Sequence, residues 1–395
     1  MAIGVVNDEG SVFIEKELIE GTFVPESDGS KAIEVLSDGL EMTPTKELLE
    51  RNNRTSTVEK VVSRVGQKSM SGTIPTEFKA GSIEGQAPET TALYEALLGG
   101  KAEYAETISD VGHSANVIAL VDGDADKYEV GYIVKIKESG NNVANLDHIS
   151  PIIAVDKGVG TSSITLLVPY SQNFSDNVII SAGVAYYHQS GQPTLSITNY
   201  LGGKIREKAI GMRCVSGELS NFATGQLPQL SFSLEGLDYA REVGTPLFAP
   251  TYDTSLPPVV LCAKVYQDDS EIPVNNVGIS MSNTLGFLTS TASCSGKISS
   301  RITEFVSTFS FNPYMEDDDV EQFDKFNKNE GYSVFGSAQN YGATDTEYKE
   351  VVSFYMPNCR STEIATGDED GILTDAVSGQ AYKNLGNDTI FICFV

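Results

Sequence analysis

The sequence predicts a mainly β protein in which one strand-and-helix unit occurs twice. Three observations carry that expectation. A polar, turn-rich stretch leads into an alternating strand at Met70–Ala80 and a short helix at Pro88–Leu98, and the pattern recurs as a strand at Ser300–Asn312 and a helix at Glu316–Asn327. The 36 Gly, 17 Tyr and 17 Phe among 395 residues suit a chain of turns and half-buried strands. Between Tyr128 and His188 short apolar runs follow one another at close spacing, which predicts a small inserted β-barrel-like unit.

Taken in order, residues 1–30 are mixed and Gly-containing and read as an arm that orders only against something else. Residues 31–45 alternate and predict a strand with a turn at Asp38-Gly39. Thr45 to Lys68 is dense in charge and too polar for a core, so it reads as a hairpin tip or long loop reaching away from the body. Its basic residues Lys46, Arg51, Arg54, Lys60 and Arg64 interleave with Glu47, Glu50 and Glu59, a mixed-charge surface suited to protein contacts and not a nucleic-acid patch. In the first helix Leu93, Ala96 and Leu97 share one face, and Gly99-Gly100 stops it.

The inserted unit is expected to use EVGYIVKIKE, SPIIAVDKG, SSITLLVP and VIISAGVAYY, punctuated by turns at Ser139-Gly140 and Lys157-Gly158. From Leu195 to Leu237 the chain returns to the main sheet. There QLSFSLEG places Leu230, Phe232 and Leu234 on one face and Ser231, Ser233 and Glu235 on the other, one buried and one wet. The Pro-rich Val243–Pro258 lacks both periodicities and reads as a boundary. Further strands follow in VVLCAKVYQ, VNNVGISMS, SRITEFVSTFSF, KEVVSFYMPNCRSTEI and NDTIFICFV. The expected organisation is an arm at 1–30, a first unit at 31–104 and 191–245, the insertion at 105–190, a linker at 246–258 and a second unit at 259–395.

Charge and chemistry narrow the function. The 27 basic and 54 acidic residues give a net charge of -27, which repels phosphate backbones and anionic lipid and excludes tight nucleic-acid binding. Five scattered cysteines, never in C-x-x-C spacing, write neither a disulfide framework nor a zinc site and fit a reducing compartment. The start lacks a basic segment followed by an apolar run, and no window reaches the ~18 apolar residues that span a bilayer, so a soluble protein made in the cytosol is expected.

The run Glu316–Asp319 lies at a predicted helix N-terminus, where carboxylates are favoured by the dipole. Asp122, Asp124 and Asp126 start like a calcium loop, but Lys127 stands where Gly is required and Ile133 where the bidentate Glu should be. His113, His148 and His188 are each isolated from any plausible catalytic Cys or Ser partner in sequence, no G-x-S-x-G elbow accompanies them, and Gly203-Lys204 and Gly296-Lys297 lack the rest of a phosphate loop. No cofactor, metal or catalytic residue is expected. A glycan hydrolase with paired carboxylates is disfavoured because the chain has no Trp to stack on sugar.

The segments GTIPTEFKAGSIEGQAPETTALYEALLGG (72–100), YIVKIKESGN to GTSSITLLVP (132–169), GMRCVSGELSNFATGQLPQLSFSLEGL (211–237) and SSRITEFVSTFSFNPYMEDDDVEQFDKF (299–326) together resemble the tail tube (major tail) proteins of long, non-contractile-tailed phages. The resemblance runs from about Lys31 to Tyr332. It implies tandem tail-tube-type β-sandwich units, each with a flanking helix, whose sheets join neighbouring copies into a closed ring. Stacked rings then form a hollow virion tube through which DNA is ejected. A long loop after an early strand reaches the adjacent ring in such tubes, which would make Lys46, Glu47, Glu50, Arg51, Arg54, Glu59, Lys60 and Arg64 an inter-ring contact. Two units per chain imply three chains in a pseudo-hexameric ring, with a hexamer as the alternative.

The partners so implied are other copies of the chain, a tape measure protein, tail terminator and distal tail proteins, and phage DNA in transit without specific binding. Membrane insertion is not implied, and the protein would act in the virion tail after synthesis in the host cytoplasm. Some of the excess carboxylates would face the lumen, with Glu77, Glu235 and Glu304 on the polar faces of predicted strands as candidates. A tail decoration, collar or capsid-associated β protein shares this composition and stands as the alternative.

Overall fold

The computed structural model describes residues 10–36, 40–51, 53, 59–137, 148–160, 162–170, 178–293, 295–315, 320–339, 350–369 and 371–395. It begins with strands β1 (Ser11–Lys16), β2 (Ala32–Ile33), β3 (Glu41–Leu49) and β4 (Arg64–Glu77), then helix α1 (Thr91–Leu98) and β5 (Gly99–Tyr104). Short strands follow: β6 (Thr107–Ile108), β7 (Val117–Ala119), β8 (Ile133–Lys137), β9 (His148–Asp156), β10 (Ser163–Leu166) and β11 (Ile179–Ile180). The chain returns through β12 (Gly183–His188), β13 (Leu195–Leu201), β14 (Ile205–Ala223), β15 (Gln229–Gly236) and β16 (Asp238–Val243). Its second half holds β17 (Lys264–Gln267), β18 (Ser270–Glu271), β19 (Val274–Thr289) and β20 (Lys297–Pro313). Helix α2 (Glu321–Lys328), β21 (Tyr332–Gln339), β22 (Val351–Glu369), β23 (Ile372–Ala381) and β24 (Phe391–Phe394) complete it. The fold is mainly β, as the alternating runs predict.

Two antiparallel layers share strands. The first is a ribbon in the order β3-β4-β15-β14-β19-β20-β23-β22. The second runs β5-β12-β24-β22-β21-β17-β18. Both β14 and β22 are 19 residues long and serve two sheets. The first half of β14 pairs with β13 and β16 and its second half enters the ribbon; the first half of β22 belongs to the second layer and its remainder to the ribbon. Gly211 sits where β14 passes between sheets, at φ 66, and a Cβ there would come within 2.8 Å of Leu237, so only glycine fits this corner.

The core fills the space between ribbon and second layer. Tyr94 of α1 is fully buried at its centre, 5.4 Å from the Phe232 ring on the ribbon, with Tyr186 at 4.9 Å and Phe394 at 5.3 Å from the second layer. Each is an aromatic contact worth about 0.5–1.5 kcal/mol beyond its buried area. The helix keeps the predicted face of Leu93, Ala96 and Leu97 inside and buries Tyr94 and Leu98 as well. It ends at Gly99, φ 92, whose N–H caps the Glu95 carbonyl.

The insertion forms a separate antiparallel sheet, β6-β11-β8-β9-β10-β7. Its own buried cluster, with Ile118, Tyr128, Ile133, Ile152 and Ile164, continues into Phe335, Tyr355 and Phe391 of the second layer. Ser11–Lys16, expected in an arm ordered only against something else, is instead strand β1. It is ordered by the same chain: it pairs with β13 from Ser11↔Tyr200 to Lys16↔Leu195 and buries Val12, Phe13 and Ile14. Among the described residues no helix is long and apolar enough to cross a membrane.

Candidate assembly surface

The ribbon consists of two matching halves. In the first, β3, β4, β15 and β14 pair in that order; in the second, β19, β20, β23 and β22 do the same. Each half has a register shift in its last strand, between Cys214 and Ser216 in one and between Ser361 and Glu363 in the other. Superposing those bulges sets Leu234↔Gly72 in the first half on Gly379↔Phe309 in the second. Helix α1 packs on β14 and α2 on β22, the same strand of each half. The halves are joined edge to edge by β14 and β19, with Ser216↔Ser282, Gly217↔Met281, Glu218↔Ser280 and Leu219↔Ile279.

One face of the ribbon is covered and one is bare. Met70, Ile74, Leu230, Phe232, Leu234, Ile279, Met281, Phe309, Phe311 and Val377 point into the core. Because side chains alternate along a strand, their neighbours form the opposite face. One row across it reads Pro75, Ser231, Glu218, Ser280, Thr308 and Gln380; the next reads Glu41, Thr73, Ser233, Ser216, Ser282 and Val306. The surface is a carpet of short hydroxyl side chains with carboxylates set among them.

The structure places the three expected carboxylates on this face. Glu235 lies opposite Ser71, Glu304 opposite Thr284 and Glu77 opposite Gln229. Glu235 and Glu304 are exposed, and Lys297 is close enough to Glu235 to feel its charge. Glu77 sits at the shoulder, half-buried beside Lys79, Glu34 and Glu89, and its carboxyl is held above the usual range because burial penalises the charge.

The ends of the polar stretch, 45–49 and 64–68, lie in β3 and β4 and form a long arm. β3 and β4 stay paired out to Leu49↔Arg64, beyond the covered part of the sheet. Lys46, Glu47, Glu50, Arg51, Glu59, Lys60 and Arg64 are exposed along it, Lys60 pairs with Glu50 at 3.0 Å, and Glu47 accepts from the Gln67 N–H at 3.3 Å. Arg54 lies outside the described residues. A second arm, not separated out by sequence reasoning, extends beside it: β19 and β20 pair out to Thr289↔Lys297, and the Lys68 N–H donates to the Ser295 carbonyl at 3.4 Å. The signal was present, since the polar turn STASCSG lies between two alternating runs. Both arms carry exposed aliphatic side chains near their tips, Leu48, Leu49, Val62 and Val65 on one and Leu288 and Ile298 on the other. At the opposite end of the ribbon the β14–β15 turn exposes Leu227 and the β22–β23 turn exposes Ile372 and Leu373.

The residues weighed for chemistry have local structural roles. His113 accepts from the Ala119 N–H at 3.1 Å, His148 meets the Val168 carbonyl at 3.0 Å, and His188 stacks on Phe305 with centroids 4.3 Å apart. Burial pushes the Cys393 thiol up to about 12 and Cys214 higher still, which keeps both unreactive. Asp122 accepts from the Gly160 N–H at 2.8 Å, and Asp124 pairs with Lys127 at 2.7 Å. The acidic run Glu316–Asp319 lies outside the described residues. Among the described residues no group of His, Cys, Asp and Glu is arranged to hold a metal ion.

One family model, described as phage tail tube protein, matches residues 8–381. No curated protein matches the chain.

Proposed function

Because the chain belongs to the phage tail tube protein family, we propose that three copies close into a pseudo-hexameric ring and that such rings stack into the conduit for DNA ejection. The family makes it a structural protein of the virion tail that self-assembles into a tube. The observation that carries the finer reading is the edge-to-edge union of two matching four-stranded units in one chain. One copy thus supplies two of six ring positions. Closing the ring pairs the free strand edges, which are otherwise a route to uncontrolled aggregation.

The bulk of the protein lies on one side of the ribbon, so a ring closed through its edges has the helices and second layer outside and the hydroxyl face inside. Duplex DNA carries one charge per ~1.7 Å of axis, and a wall that let it slide must not bind phosphate. Short hydroxyls give only neutral contacts, and Glu218, Glu235 and Glu304 repel. The arms, with their mixed charge and aliphatic tips, would reach the adjacent ring, and tape measure, terminator and distal tail proteins would meet the tube's interior and ends.

Native mass of a single ring, or its image in projection, tests the stoichiometry: three chains are expected, and six would overturn it. Phage carrying Glu235→Lys with Glu304→Lys should eject DNA several-fold more slowly, and an unchanged rate would remove these carboxylates from the lumen.

A further inference from the structure

We propose that the outer half of β22, Arg360–Glu369, pairs antiparallel with β3 of the next copy, in a register set by the chain's own β14–β19 joint. The inference rests on the tube reading above and adds the partner edge and its alignment. Among the described residues, the outer half of β22 pairs with β23 on one side only, and β3 pairs with β4 on one side only. These are the two ends of the ribbon, and both strands are largely exposed there.

The internal joint supplies the template. In the matching of halves, β22 stands where β14 stands and β3 where β19 stands. Glu218↔Ser280 then becomes Ala365 opposite Thr43, and Gly217↔Met281 becomes Ile364 opposite Pro44. The faces agree with this alignment. Ile364 and Met42 are each partly buried against the core, while Ala365 and Thr43 share the bare face, and a one-residue slip would exchange the two sets. Pro44 has no N–H to donate, so the seam forms with at most one ladder bond at Ile364 opposite Pro44.

The contact is heterologous, one edge against an unlike one, and such contacts close into rings when the rotation permits. The occupant is therefore a second copy and not a different protein.

The test uses full-length chain with Cys262 and Cys294 replaced by Ser, assembled into tubes and then oxidised. Directly opposed residues in an antiparallel pair have Cα atoms about 4.5–5.5 Å apart, within disulfide reach. Ala365→Cys with Thr43→Cys should cross-link neighbouring chains, giving dimer and closed trimer on a denaturing gel, at least tenfold more than Ala365→Cys with Glu41→Cys. Ile364→Cys with Pro44→Cys probes the other face. Hydrogen exchange on the unmodified chain provides a readout independent of folding defects: amides of 41–46 and 360–366 should slow at least tenfold on assembly. Tubes that cross-link best through the offset pair or through Thr43→Cys alone, or that leave these amides unprotected, overturn the seam and leave the tube reading standing. Failure of the unmodified chain to form rings overturns both.

Discussion

The two halves of the ribbon share a backbone plan but distribute their volume differently. In the first, α1 is core: Leu97 presses on Gly217, where an added Cβ would come within 2.4 Å of its side chain. In the second, the matching position is Ile364 and α2 lies at the surface, with Gln322 its only buried residue among those described and Phe323 55 % exposed. Side-chain ties hold α2 in place of packing. Gln322 bonds Gln267, and Lys325 bridges Glu321 at 2.8 Å and Asp268 at 3.3 Å. The ladder position Gly72–Leu234 in one half becomes Phe309–Gly379 in the other, small and large exchanged across the pair. A duplicated frame therefore tolerates divergence when the total volume at each contact is kept.

The comparison breaks first at the helices. Leu97→Ala in α1 should cost about 2–5 kcal/mol, as large-to-small changes in a packed core do, whereas Phe323→Ala in α2 should stay within about 0.5 kcal/mol. Denaturant melts of the two variants check this, and equal losses would end the distinction between a core helix and a surface one. The exchanged pair is the next test. Gly379→Ala puts a Cβ within 2.3 Å of the Arg360 carbonyl oxygen and 2.5 Å of the Phe309 ring and should cost about 1–3 kcal/mol. Adding Phe309→Leu relieves the ring contact but not the carbonyl one and should recover part of the loss in a double-mutant cycle, and strict additivity would mean that the two sites do not compensate.

A smaller effect lies where the halves meet. Glu350, just before β22, is pushed up to about 7 by burial and by Asp253 of the connecting segment, against the pull of Lys79. Its ordinary value is about 4.3, so its contribution is fully present below that pH and is lost as pH rises through about 7. Glu350→Gln should flatten that loss and raise stability at pH 8 by about 1 kcal/mol, and an unaltered pH profile of Tm would remove Glu350 as its source. The arms come last. Leu48→Ser with Leu49→Ser should change the melting of the isolated chain by less than about 0.5 kcal/mol yet shorten tubes seen by microscopy, which separates a stacking role from a folding one.

Local pattern made some of this legible and long-range pairing hid the rest. Alternation at Met70–Ala80, at Gln229 onward and at Ser300–Asn312 gave three ribbon strands and put Glu77, Glu235 and Glu304 on their polar sides, because a period of two is a local property. The order of the ribbon was not legible. It places Gln229 opposite Glu77 and Ser378 opposite Ser310, pairings that no window along the chain contains. Strand β1 escaped because SVFIEK is too short to declare a period and gains its place only from β13. The arms escaped in part because a ladder of backbone hydrogen bonds asks nothing apolar of the side chains it carries.

The β14–β19 joint links two matching units of one chain, so it forms at the effective concentration of a linked pair and never waits on diffusion. If three chains close the ring as proposed, half its seams arrive ready-made from the ribosome, and assembly takes two encounters and one closure where six untethered units would take five encounters and one closure.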